Sequence, residues 1–351
     1  MSTPPSATTA SFGPVMLDVE GTALTDADRL RISHPATGGV ILFSRNFESR
    51  AQLTALTADI HAQRPGVLIA VDHEGGRVQR FKQDGFTVLP PAAALGRLWD
   101  RDESASRLLA VKAATAFGFV LASELRACGV DFSFTPVLDL AWGRSGVIGD
   151  RALHADPRVV TLLAKSLVHG LTLAGMAACG KHFPGHGHVE ADSHFAVPVD
   201  ERPLETILAE DAAPYAWFGL GLPAVMPAHV IYSRVDDKPA GFSAIWLQQI
   251  LRNRLGYMGA ILSDDLAMKG AAPAGDVVAG GKAALKAGCD MVLVCNKPDW
   301  AEQLLKGIDP TVSPASQARL AALQPMFPAL DWESLHASDR FAAAFRVLKG
   351  L

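Results

Sequence analysis

The sequence predicts an α/β fold built as a single (β/α)8 barrel, and three observations carry that reading. Eight short apolar runs recur along the 351 residues, stretches of helical period separate them, and no break in composition marks a second large domain. A length near 350 gives a soft expectation of two domains, but α/β barrels often run this long as one. The chain is long enough to bury a large core.

In order, the runs are "PVMLDV" from Pro14, "GGVILF" at 38–43, "VLIAVD" at 67–72 and "VDFSFTPV" at 130–137. They continue with "GMAACGK" at 175–181, "LPAVMPA" at 222–228, "GAILSD" at 259–264 and "CDMVLVC" at 289–295. They are rich in Val, Ile, Leu and Ala without clean alternation, as strands buried on both faces of a parallel sheet must be. Between them lie amphipathic stretches such as "RAQLTALTADIHAQR", "SASRLLAVKAATAFGFVLASELRACG" and "PRVVTLLAKSLVHGLTLAG". Several end in Gly just before the next run, the expected helix C-cap, while "TDAD" before Arg29 and "SAIWLQQILRNRLG" open with N-cap residues.

Residues 1–12, rich in Ser, Thr and Pro, are expected to form a frayed tail, and residues 13–351 the domain, with the helices after about residue 298 packed on the barrel's exterior. A doubly wound open sheet is the alternative architecture. It would carry fewer strands and a Gly-rich first turn, and "DVEG" after the first run is no dinucleotide fingerprint. No cofactor is therefore expected.

Net charge is 32 − 36 = −4 with no basic patch, which argues against nucleic-acid or membrane-surface partners. Nowhere do eighteen apolar residues run together, and "MSTPPSATTASFG" has neither the basic nor the apolar region of a secretory signal. Cys128, Cys179, Cys289 and Cys295 form no C-x-x-C pair, and most lie in or beside apolar runs, as reduced buried thiols would. A cytoplasmic monomer is the expectation.

Barrel chemistry sits at the C-terminal ends of the strands, and the polar residues gather there. The third run ends in Asp72 and leads into "HEGGRVQRF", the fourth into a loop ending "GVIGDRALHADP". The fifth ends in Lys181 and His182, the sixth precedes His229, and the seventh ends in Ser263, Asp264 and Asp265. Any one of these could cap a helix; together at one barrel end they indicate a site. The His-rich stretch "GKHFPGHGHVEADSH" at 180–194 could be read as a metal cluster of His182, His186, His188 and His194. Pro184, Gly185 and Gly187 bend it, however, and no helix presents an H-x-x-x-H face, so no metal is expected.

Cleavage of a glycosidic bond needs one group at the anomeric carbon and another to protonate the leaving oxygen. Asp264, fixed on a strand end, suits a nucleophile. His194, two residues from Asp192, suits an acid/base unit, because a carboxylate orients an imidazole and favours its charged form. In "DHEGGRVQR" the paired glycines would let backbone turn closely around a small ligand flanked by Asp72 and Arg80, with Glu74 and Arg77 holding the loop's shape. His186 is expected to pack against the loop, Asp265 to cap or support, and His229 either to touch substrate or to be a buried hydrogen-bonded side chain.

"VDHEGGRVQRF", "KHFPGHG" with the following "ADSH", and "AILSDDLAM" closely resemble motifs of glycoside hydrolase family 3, over about residues 12 to 300. More narrowly they resemble its bacterial β-N-acetylglucosaminidase branch, active in peptidoglycan recycling. The resemblance implies Asp264 as a nucleophile forming a covalent glycosyl-enzyme, and His194 with Asp192 as acid/base on a mobile loop. It further implies Asp72, Arg80, Arg151, Lys181 and His182 as binding residues for the N-acetylglucosamine unit of a muropeptide. Glucosidases of the wider family lack the Asp-Ser-His loop and usually take their acid/base carboxylate from a second domain, for which this chain has no room. Three alternatives stay open: a phosphorylase, since an imidazole does not repel incoming phosphate; a β-glucosidase or xylosidase; and a non-catalytic sugar-binding barrel.

Overall fold

Eight parallel strands close into a barrel in strict chain order: β1 (Val15–Asp18), β2 (Thr37–Leu42), β3 (Leu68–Val71), β4 (Phe132–Ser133), β5 (Ala177–Phe183), β6 (Ala224–Pro227), β7 (Ala260–Asp265) and β8 (Met291–Val294), which pairs back to β1. This is a computed structural model, and it describes residues 11–103, 105–190, 193 and 197–351, the side chain of Leu220 excepted. All eight apolar runs become barrel strands, and all but the last two residues of β7 are buried along their length. The open-sheet alternative is thereby excluded.

The fourth strand is shorter than its apolar run. Pro136 has no N–H to give a ladder, and beyond Ser133 only Val137 regains a bridge, to Lys181.

The main helices are α1 (Asp26–Ser33), α2 (Arg50–Gln63), α3 (Ser106–Ala127), α4 (Pro157–Leu173), α5 (Val277–Ala287) and α6 (Pro298–Gly307), and α2, α3 and α4 fall on the three amphipathic stretches. Thr25 starts α1 with a reciprocal capping box to Asp28, and Ser49, Asp156 and Asp276 cap α2, α4 and α5. Helix α3 is long and apolar enough to span a bilayer, but 72% of its most apolar window is buried against its neighbours. Its contact with α4 is close because two glycines permit it. A Cβ at Gly118 would lie 2.0 Å from the Leu167 carbonyl oxygen, and one at Gly170 would lie 2.1 Å from that of Thr115.

Between β6 and β7 the helical segment Ile245–Arg254 opens on Ser243, whose Oγ accepts from the Trp246 N–H at 3.1 Å. After α6, the helices Trp332–His336 and Asp339–Leu348 pack outside the barrel on α3, as expected. Phe12 departs from the expected tail. It is 3% exposed, its N–H donates to Gln317 Oε1 at 2.9 Å, and the ordered domain begins before residue 13. An aromatic ring against an apolar core outweighs the disorder-favouring composition that precedes it.

Candidate active site

At the C-terminal end of the barrel lies a cavity of about 340 Å³. Its lining includes Asp72, Arg80, Arg151, Lys181, His182 and Asp264. These six residues come from three strand ends and two loops, separated by up to 192 positions in sequence. Asp192 and His194 lie outside the described residues. Ser193 between them is described: it lines the cavity, His186 Nε2 lies 3.2 Å from its Oγ, and its carbonyl accepts from Gly270 N–H at 2.8 Å.

One wall is an ion-pair cluster. Asp72, just past β3, meets Lys181 Nζ at 2.7 Å through Oδ1 and the Arg80 guanidinium at 3.4 Å through Oδ2. The chain then turns through a small hairpin, His73–Gly75 with Val78–Gln79. Gly75, at φ 95°, could not carry a Cβ, which would lie 2.5 Å from the Pro90 carbonyl oxygen. This turn delivers Glu74 to the cluster's centre. Its carboxylate lies 2.6 Å from Lys181 Nζ and accepts from Arg151 Nε and a terminal nitrogen, both at 2.8 Å.

Burial pushes the Glu74 carboxyl up, but Arg151 and Lys181 more than reverse this and hold it at about 2. Burial likewise opposes ionisation of Asp72, and Lys181 and Arg80 hold it well below the usual carboxylate range. Lys181 and Arg151 are raised despite burial, by the same carboxylates. Asp72, Glu74, Arg151 and Lys181 therefore carry their charges at neutral pH, presenting fixed donors and acceptors to a polyhydroxylated ligand.

The opposite side is built on β7. Asp264 Oδ1 accepts from the Asp265 N–H at 2.8 Å. Burial raises its carboxyl, and His229, His182, that N–H and Lys181 together bring it below its ordinary value. It is therefore ionised at neutral pH and held by the strand. Asp265 differs: its Oδ1 caps the Ala267 and Cys295 N–H groups, and burial pushes its carboxyl up to about 7. Two adjacent carboxyls thus have different protonation behaviour, and only Asp264 suits a neutral-pH nucleophile.

His229 is fully buried. It lies outside the cavity lining, with Nε2 3.1 Å from the Asp265 carbonyl oxygen and its ring stacked on Phe242 at 5.2 Å. Facing a carbonyl, Nε2 must be the protonated nitrogen, so His229 braces the end of β7 from behind.

A family model described as the glycosyl hydrolase family 3 N-terminal domain matches residues 15–322. The chain belongs to glycosyl hydrolase family 3. It is 61% identical over 337 residues to a beta-hexosaminidase of Bordetella avium, covering 95% of each chain. To a beta-hexosaminidase of Chromobacterium violaceum it is 54% identical over 341 residues, 97% of this chain and 94% of the other. Among solved structures it resembles NagZ from Neisseria gonorrhoeae in complex with N-trifluoroacetyl-D-glucosamine, at 48% identity and a TM-score of 0.90. That match covers 97% of this chain and 98% of the other. The chain is a glycoside hydrolase of the β-hexosaminidase type.

Within this family fold, two members of the site have stronger geometry than their sequence context suggests. Glu74, read as a loop-shaping residue, is instead the hub of the ion-pair wall. Asp139, which no motif marks, is fully buried behind His182, with its Oδ2 2.7 Å from the ring Nδ1. The available signal was a carboxylate between Leu138 and Leu140 in an apolar stretch, where an unpaired charge would be costly.

Proposed function

We propose that the chain is a retaining exo-β-N-acetylglucosaminidase acting by double displacement. Asp264 attacks the anomeric carbon while His194, oriented by Asp192, protonates the glycosidic oxygen. Water activated by the same imidazole then hydrolyses the glycosyl-enzyme with net retention. The observation that carries this reading is an ionised, strand-fixed Asp264 facing a charged wall of Asp72, Arg80, Arg151 and Lys181 across one small cavity. Attack from a fixed carboxylate needs little reorganisation, and the wall's donors and acceptors suit the hydroxyls of a single terminal sugar. A cavity of about 340 Å³ suits one ring in the glycone position and so an exo mode of attack.

The aglycone we propose is an anhydro-N-acetylmuramoyl unit of a muropeptide, which would place the enzyme in cell-wall recycling as a cytoplasmic monomer. The motif resemblance supports the substrate, and four buried free thiols fit a reducing compartment. Turnover of 4-nitrophenyl β-N-acetylglucosaminide against the matching glucoside, with and without phosphate, tests the reading. Release of N-acetylglucosamine in its β-form, with the glucoside poorly cleaved, is expected. Dominant glucoside cleavage, or N-acetylglucosamine 1-phosphate as the product, would replace the proposal with one of its rivals.

A further inference from the structure

Asp139 belongs to no motif, yet it makes three polar contacts in the site. Its Oδ1 accepts the backbone N–H of His182 at 3.2 Å and that of His186 at 2.7 Å, while its Oδ2 holds the His182 ring at Nδ1, 2.7 Å away. One fully buried carboxylate thus spans the end of β5 and the bend that follows it. Burial pushes the carboxyl up, and the His182 ring with the His186 N–H returns it to about 2.

An ionised carboxylate can only accept hydrogen bonds, so the ring nitrogen it meets must carry the proton. Nδ1–H of His182 is therefore fixed whatever the ring's charge. With Nδ1 turned to Asp139 and the ring on the cavity wall, Nε2 is the nitrogen left to face a ligand. In the neutral ring, Nε2 then offers a lone pair to a sugar hydroxyl rather than a second hydrogen.

We propose that Asp139 is a positioning residue for the reaction, acting through His182 by fixing which ring nitrogen carries the hydrogen and aiming the other at the sugar. It is a second carboxylate–imidazole pair in the site, on the rigid wall, distinct from the Asp192–His194 pair proposed as acid/base. The inference rests on the proposed glycosidase reading for its kinetic consequence, but the ring's tautomer is a property of the resting protein.

The division of labour between the two oxygens gives a clean variant. Asp139→Asn keeps an oxygen for the two backbone N–H groups and puts an NH2 against the ring, so Nδ1 must become the acceptor and Nε2–H must face the sugar. Nitrogen-15 NMR of the imidazole at a pH where the ring is neutral should show hydrogen on Nδ1 in the wild type and on Nε2 in Asp139→Asn. A wild-type His182 with hydrogen on Nε2 overturns the inference without requiring any variant to fold or any substrate to turn over.

In kinetics, Asp139→Asn should lower kcat/KM by about 10–100-fold, as loss of a carboxylate partner does for other oriented imidazoles. In a His182→Ala background the same change should cost less than about threefold, because the group it acts through is gone. Full multiplicative losses in that cycle would make Asp139 a structural staple and reject its action through His182. If neither form cleaves any aryl hexosaminide, the functional reading fails, while the tautomer result still stands or falls by itself.

Discussion

Lys181 Nζ lies 2.6 Å from Glu74 Oε1, and both side chains are almost completely withdrawn from solvent. A buried ammonium is tolerable only because it faces two carboxylates, Glu74 and Asp72, and Glu74 in turn is shared with Arg151. Removing one partner from such a cluster leaves charge buried without compensation, which costs more than the pair contributed as a unit.

Glu74→Gln should therefore destabilise the fold by about 3 kcal/mol, the lower end for breaking a buried ion pair. It should also reduce kcat/KM, since Lys181 and Arg151 would no longer be held in register. Urea denaturation at pH 7 with parallel kinetics checks both. A variant as stable and active as the wild type would show that Glu74 is not the hub its contacts suggest.

Asp264→Asn keeps the size of the side chain and removes the charge of the proposed nucleophile. Turnover should fall on the order of 10⁴-fold or more, as for other covalent catalysts stripped of their nucleophile, while circular dichroism stays native. Near-normal activity on an aryl β-N-acetylglucosaminide would transfer the role to another residue.

The barrel was legible because strands buried on both faces must be continuously apolar, and all eight such runs were strands. The failures have local causes. Pro136 shortened β4, and the ring of Phe12 drew a residue of the expected tail into the core. Around the cavity, the placement of charged residues at strand ends, such as Asp72, Lys181 and Asp264, could be read from the chain alone. The place of Glu74 at the centre of the ion-pair wall and that of Asp139 behind His182 could not be read, because they depend on partners far along the chain. Arg151 is 77 positions from Glu74 and His182 is 43 from Asp139, and no local spacing encodes either pair.

Replacing His194 tests its proposed role as the acid, separately from nucleophilic attack. His194→Ala should slow substrates with poor leaving groups far more than activated aryl glycosides, which need little protonation to depart. Because Asp264 is held below its ordinary carboxylate value, it stays ionised between pH 5 and 8. The basic limb of the kcat/KM profile should therefore belong to the acid and disappear in His194→Ala. Equal losses on both substrate types, with that limb intact, would point to a different proton donor.

Stability should also respond to pH through a carboxyl outside the site. Glu124 on α3 accepts from Thr87 N–H at 2.9 Å and lies 2.7 Å from Thr87 Oγ1, and burial pushes it from an ordinary 4.5 up to about 7. His336 Nε2 is 3.6 Å away, but burial lowers that ring's proton affinity, so it supplies little charge to oppose the rise. A carboxyl that holds its proton more tightly when folded contributes stability that is full below pH 4.5 and lost as pH rises through 7. The span is on the order of 3 kcal/mol at about 1.36 kcal/mol per pH unit. Glu124→Gln mimics the protonated form, keeping an oxygen for the Thr87 N–H and an NH2 for its hydroxyl. Relative to wild type, the variant should gain about that amount between pH 4.5 and pH 8 in urea unfolding, the part of the pH slope due to Glu124. Parallel stability curves for the two proteins across that range would mean that Glu124 ionises in the folded state as readily as in the unfolded chain.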